Sequence, residues 1–100
     1  MKTKLIITFA TLLFSSAVFA KGDVKAGATK AMVCSACHGT NGLSVNDLWP
    51  NLKGQKAGYL TKQLKDFQSG ARKDPLMTSQ AKLLSEKDIE DIVAYYSELK

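Results

Sequence analysis

Both cysteines and the only histidine of this chain fall within five consecutive residues, Cys34-Ser35-Ala36-Cys37-His38. Any fold the chain adopts must serve that cluster, because little else is available to hold it together. Residues 1–20 carry 13 of the 45 apolar residues, Phe9, Phe14 and Phe19 among them, which leaves 32 among the other 80. The aromatic residues outside that segment are Trp49, Tyr59, Phe67, Tyr95 and Tyr96. So lean a domain offsets its chain entropy poorly with side chains alone. Domains of this size carry a staple: disulfides, a metal or a large bound group. At 100 residues there is room for one domain, which excludes a large multistep enzyme.

The spacing C-x-x-C-H is the attachment signature of c-type haem. Two cysteines three apart at a helix end can each reach one vinyl group of the same porphyrin and form thioether bonds. His38 then lies under the iron and can ligate it axially. Covalent attachment retains the group in a domain too small to keep it by burial. Three other readings compete. A disulfide redox pair wants a strand–helix unit of the thioredoxin kind, and no alternating strand pattern exists beyond residue 20. A structural zinc site takes four protein ligands, and Cys34, Cys37 and His38 fall short. A plain disulfide suits an oxidising compartment but leaves His38 and the sparse core unexplained.

Residues 1–20 read as an export signal. Lys2 and Lys4 precede an apolar run from Leu5 to Phe14, and Val18-Phe19-Ala20 forms a small-residue cleavage site. The apolar run ends at Ser15-Ser16, short of the ~20 residues a membrane-spanning helix needs, and no later stretch is apolar enough to span. Cleavage is expected after Ala20, with Ala17 as the fallback, to leave residues 21–100 as a single soluble domain in the periplasm. Without the leader the chain has 12 basic and 9 acidic side chains, a net charge of +3 instead of +5. Lys53, Lys56, Lys62, Lys65, Arg72 and Lys73 are dispersed, and nucleic-acid binding wants a denser footprint. A solvated basic face and a docking face for an acidic partner are the readings that remain.

Three helices are expected, separated by two irregular stretches. The first runs from Asp23, an N-cap, to near Cys34, with Val24, Gly27, Ala28 and Ala31 at helical spacing. A loop marked by Gly39 and Asn41-Gly42 continues through Trp49-Pro50 to Gly54. The second helix covers Lys56 to Ser69 with a stripe of Ala57, Leu60, Leu64 and Phe67, and Gly70 ends it. Residues 71–84 are expected to be a loop, since Pro75 biases Asp74 away from helix. The last helix starts at Ser85 with Asp88 three residues on, and buries Ile89, Ile92, Val93, Tyr96 and Leu99.

Taken in order, these segments resemble the class I c-type cytochromes of the small single-haem bacterial kind. The resemblance covers residues 22–100. It rests on Gly22-Asp23-Val24, Cys34-x-x-Cys37-His38-Gly39, Pro50-x-Leu52-x-Gly54-Gln55, Tyr59-Leu60, Gln63-Leu64, Phe67, Gly70-x-Arg72, Met77 and Tyr95-Tyr96. It implies an all-α cytochrome c fold of three to four helices wrapped around one covalently attached haem c. It further implies an electron carrier and no enzyme, exchanging electrons with redox partners of the periplasm or of a membrane respiratory chain. Acidic docking patches on those partners would suit the chain's basic side chains.

Once His38 is used no histidine remains, so a bis-histidine haem is excluded within one chain. Beyond the leader the methionines are Met32 and Met77. Met32 lies two residues before Cys34 and is poorly placed for the far haem face. Met77, 39 residues past His38, is free to approach from the other side, where the family places its distal methionine; the competing role is filling a core gap. The resemblance also assigns the Pro50 carbonyl to the second ring nitrogen of His38, against a simple turn proline. Arg72 and the indole N–H of Trp49 are candidates to bond haem propionates, with surface or packing roles as alternatives. Gly27 matches the family glycine where first and last helices cross, with Tyr95 or Tyr96 opposite. A His/Met pair favours reduced iron and leaves no open coordination position, which points to electron transfer. The competing function is a haem enzyme or gas-binding sensor with a labile distal methionine. A peroxidase would want a distal acid–base group, and no second histidine exists for it. An obligate subunit of a larger oxidase or reductase is a third reading.

Overall fold

Asp23 starts the first helix by accepting, at its carboxylate, the N–H groups of Lys25 and Ala26 at 2.9 and 3.1 Å. These donors have no partner inside the helix, which is why a short acceptor side chain is favoured there. The computed structural model describes residues 1–11 and 22–100. The cleavage point expected after Ala20 lies outside the described residues, as does the end of the apolar run before it. Residues 1–11 are exposed and have no regular structure.

Five α-helices follow: α1 (Val24–Lys30), α2 (Met32–His38), α3 (Ala57–Ser69), α4 (Met77–Lys82) and α5 (Glu86–Glu98), with a 3-10 turn at Thr40–Gly42. No strand occurs among the described residues. Two helices exceed expectation, each for a local reason. The first expected helix neither ends near Cys34 nor runs unbroken. It breaks at Ala31, whose carbonyl then accepts from Cys34 and Ser35, so helical bonding resumes and carries on to His38. Gly39 stops it at φ +84°, and a Cβ there would lie 1.8 Å from the Leu43 carbonyl oxygen. Only glycine takes that turn at no steric cost.

The second correction concerns residues 71–84, expected as a loop. Asp74 and Pro75 do lie outside any helix, but the bonds Asp74 makes reach forward into one. The Asp74 carboxylate accepts from the N–H groups of Leu76 and Met77, both at 2.9 Å, and the Asp74 carbonyl accepts from Thr78 at 2.9 Å. Asp74-Pro75 therefore forms the turn that leads into α4, which starts at Met77. Elsewhere the expected ends hold. Gly70 closes α3 in the left-handed region, and Ser85 with Asp88 forms a reciprocal cap on α5.

α5 lies across α1, and α3 packs on α4 and α5. Ile89, Ile92, Val93 and Tyr96 of α5 are buried, with Leu60 and Phe67 of α3 and Ala31 and Ala81. Ala57, placed on the α3 stripe, is exposed. At the crossing, a Cβ on Gly27 would lie 1.9 Å from the Asp91 carbonyl oxygen and 2.9 Å from Tyr95 Cβ. Backbone meets backbone there, and the tyrosine opposite is Tyr95.

Asp91 is 1 % exposed, and its burial was not visible as a break in the polar face of α5. A buried carboxylate must be fully partnered. Asp91 accepts from the Asp23 N–H at 2.8 Å, Lys30 Nζ at 2.7 Å and Lys87 Nζ at 2.7 Å. Lys30 first, then Lys87 and the Asp23 N–H, hold its carboxyl well below the usual carboxylate range. A carboxylate with a depressed folded-state pKa contributes stability that is complete above its unfolded value of about 3.9 and lost as pH falls through the folded value. Asp91→Asn is therefore expected to unfold more readily at neutral pH and to lose less additional stability below about pH 4. Far-UV circular dichroism of both proteins through an acid titration checks this, and parallel acid dependence would contradict it.

Candidate haem site

The apolar faces of α3 and α5 do more than contact each other. With the end of α2, the loop after Asn46 and the start of α4, they enclose a cavity of about 520 Å³. Its walls include Leu52, Leu60, Leu64, Phe67, Ile92 and Val93. Cys34, Cys37, His38, Trp49, Pro50, Arg72 and Met77, the seven residues singled out from the sequence, all line it. Met32 does not, and is 70 % exposed.

α2 delivers Cys34, Cys37 and His38 together. The two cysteines are not joined to each other and are half-buried, and burial pushes the Cys34 thiol up. His38 is buried, and its Nδ1 lies 2.8 Å from the Pro50 carbonyl oxygen. A carbonyl only accepts, so Nδ1 carries the proton and donates it. Nε2 then keeps its lone pair, in a ring that lines the cavity. The loop bearing Pro50 is itself tied down. The Gly42 carbonyl accepts from Leu52 and Lys53 at 2.9 and 3.1 Å, and Gly54 donates to the Tyr96 carbonyl at 2.8 Å.

Arg72 is fixed at the cavity wall by a residue the sequence reading left without a role. Its Nη1 donates to Gln63 Oε1 at 2.7 Å, and its guanidinium sits 4.6 Å from the centre of the Phe67 ring. Nine residues separate Arg72 from Gln63, a pairing that helix periodicity does not announce. Met77 reaches the cavity from α4, with its N–H bonded to Asp74.

This donor set fits a haem. A histidine nitrogen with a free lone pair, a thioether sulfur and two thiols share one apolar cavity, with a guanidinium at its wall suited to a propionate. A zinc site finds less support: among the described residues no group of three His, Cys, Asp or Glu side chains is arranged to hold a metal ion.

Comparison with known proteins agrees with that chemistry. A profile of the Cytochrome c family matches residues 24–100. The chain is 48 % identical over 79 residues to cytochrome c-554(548) of Halomonas halodenitrificans, covering 76 % of this chain and 95 % of that protein. It is 40 % identical over 100 residues to a cytochrome c4 of Pseudomonas aeruginosa, covering all of this chain and 50 % of that one. The crystal structure of reduced recombinant cytochrome c4 from Pseudomonas stutzeri superposes with a TM-score of 0.74 at 43 % identity, over 79 % of this chain and 46 % of that one. The chain thus spans about half the length of the cytochrome c4 relatives and nearly all of the c-554(548). An all-helical fold, the Cys34/Cys37 pair and the family match converge: the chain belongs to the cytochrome c family, as a class I c-type cytochrome with one covalently bound haem c.

Proposed function

We propose that this chain is a periplasmic electron carrier in which Cys34 and Cys37 hold the haem by thioether bonds and His38 and Met77 ligate its iron. The observation that carries the reading is the His38–Pro50 hydrogen bond, which leaves Nε2 as the free donor in a cavity that Met77 also lines. When bound, the haem iron supplies a one-electron couple between its ferrous and ferric states. The protein's part is to hold the ligands still. Pro50 fixes the ring orientation and tautomer of His38. The apolar walls from α3 and α5 exclude water and favour the less charged, reduced site. With both axial positions taken by side chains there is no place for a substrate, which argues for a carrier and against an enzyme.

Export places the domain outside the cytoplasm, with residues 1–20 removed after Ala20. No helix among the described residues is long and apolar enough to cross a membrane. Lys30, Lys62, Lys65 and Lys87 are engaged with carboxylates, whereas Lys53, Lys56 and Lys73 form no ion pair among the described residues. Those three are chain neighbours of the cavity-lining Leu52, Gln55, Arg72 and Asp74. Charge there would steer a partner with an acidic patch, a redox protein of the periplasm or respiratory membrane, to the side where electrons leave.

Absorption spectra of the haem-loaded protein, oxidised and then reduced, test the reading. Sharp reduced c-type bands together with the near-infrared sulfur-to-iron band of the oxidised form are expected. Haem bands without the sulfur band, and rapid carbon monoxide binding to the reduced protein, would overturn the carrier reading in favour of a ligand-binding one.

A further inference from the structure

α4 has six residues, far below the ~12–15 at which an isolated helix becomes even marginally stable in water. Packing does little to compensate. Ala81 is its one buried residue, and the flanking Leu76 and Leu83 are 59 % and 78 % exposed. Side chains from outside the helix hold its two ends instead. At the start, the Asp74 carboxylate accepts from the N–H groups of Leu76 and of Met77 itself, both at 2.9 Å, while the Asp74 N–H donates to Thr78 Oγ1 at 3.0 Å. At the end, Gln68 of α3 donates through Nε2 to the carbonyls of Ala81 and Leu84, each at 2.9 Å. The Ala81 carbonyl also accepts from the Leu84 N–H at 3.1 Å, and Leu84 lies just past the helix, so Gln68 ties the end of α4 to the turn that leads into α5.

We infer that Asp74 and Gln68 are positioning residues for the distal iron–sulfur bond, clamping the short helix that presents Met77. The inference rests on Met77 being the ligand. Without the clamps α4 is a weakly held local unit that opens independently of the rest of the domain, and each opening takes the sulfur off the iron. A thioether bound to iron is only as persistent as the backbone that carries it.

Imidazole binding to the oxidised holoprotein reads that opening, because imidazole enters only when the sulfur leaves. Asp74→Ala removes the cap, and imidazole affinity is expected to rise about fivefold, as loss of a cap worth about 1 kcal/mol implies. Asp74→Asn keeps a side-chain acceptor and should stay within about twofold of wild type, although it removes the same charge. Gln68→Glu, which replaces the donor with an acceptor facing two carbonyls, should also raise the affinity, and it keeps the inference testable if Asp74→Ala yields no holoprotein. In a Met77→Ala background, the Asp74 and Gln68 substitutions should change nothing further, since the sulfur they position is gone.

Wild-type affinity in both Asp74→Ala and Gln68→Glu overturns the inference. So does an equal gain with and without Met77, which would mark a general loosening of the cavity. Failure of the underlying ligation reading looks different: the wild-type protein itself would lack the sulfur-to-iron band and bind imidazole as tightly as Met77→Ala.

Discussion

Replacing Cys34 and Cys37 together by serine is expected to yield a chain that neither retains haem through denaturing electrophoresis nor folds cooperatively. The first outcome follows from losing both thioether sites. The second follows from the size of the space the haem would otherwise fill. Residual cavities cost about 24 cal/mol per Å3, so the cavity of about 520 Å³ would cost on the order of 10 kcal/mol if its walls stood open. That figure is an upper limit, because the cavity opens to solvent and its walls can collapse. It still matches the whole ~5–15 kcal/mol by which domains are stable. The core left behind is, among the described residues, eight buried apolar residues, two of them alanines. Far-UV circular dichroism and limited proteolysis decide the matter. Native helix content with a sharp unfolding transition in the haem-free variant would show that the side chains suffice alone.

The second large effect belongs to Met77. Met77→Ala is expected to abolish the near-infrared sulfur-to-iron band, admit carbon monoxide to the reduced iron, and lower the reduction potential by on the order of 0.1 V. Axial ligands command a span of roughly 0.8 V, and with Met77 as the proposed ligand its loss would remove the thioether that favours reduced iron. Global stability should change far less, because Met77 is only half-buried and its helix is held through Asp74 and Gln68. Spectroelectrochemical titration of wild type and variant measures the shift. An unchanged potential with the band intact would place another ligand on the iron.

Much of this was readable in the sequence because the relevant signals are local. Asp23, Gly70 and Ser85 declare helix ends through bonds or conformations completed within four residues. The α3 and α5 stripes are periodic, so their buried faces follow from spacing, although periodicity did not reveal that both faces would wall a cavity as well as a core. Three features escaped. The break at Ala31 leaves no mark, since alanine suits either side of it. α4 does not announce itself, because Pro75 biases Asp74 away from helix while the helix starts two residues past the proline, at Met77. Asp91 carries no sequence mark of its burial, because its partners at Asp23 and Lys30 lie more than sixty residues away. The links that fix the cavity wall, Gln63 to Arg72 and Gln68 to the end of α4, are likewise tertiary and have no sequence period to betray them.

The bond from the Asp23 N–H to Asp91 spans 68 positions of the chain. A polypeptide is made from its N-terminus, so α1 and the cysteines of α2 exist well before the residue that anchors them. α1, seven residues long, cannot persist alone in that interval, and the close approach at Gly27 has no α5 to meet. Until α5 is in place, Cys34 and Cys37 therefore sit on a segment that local structure alone does not hold. Docking of α5 on α1 closes a loop of 68 positions, an entropically costly step. The last thirteen-residue helix therefore acts as a clasp: a chain shortened within it would leave α1 without its long-range anchor.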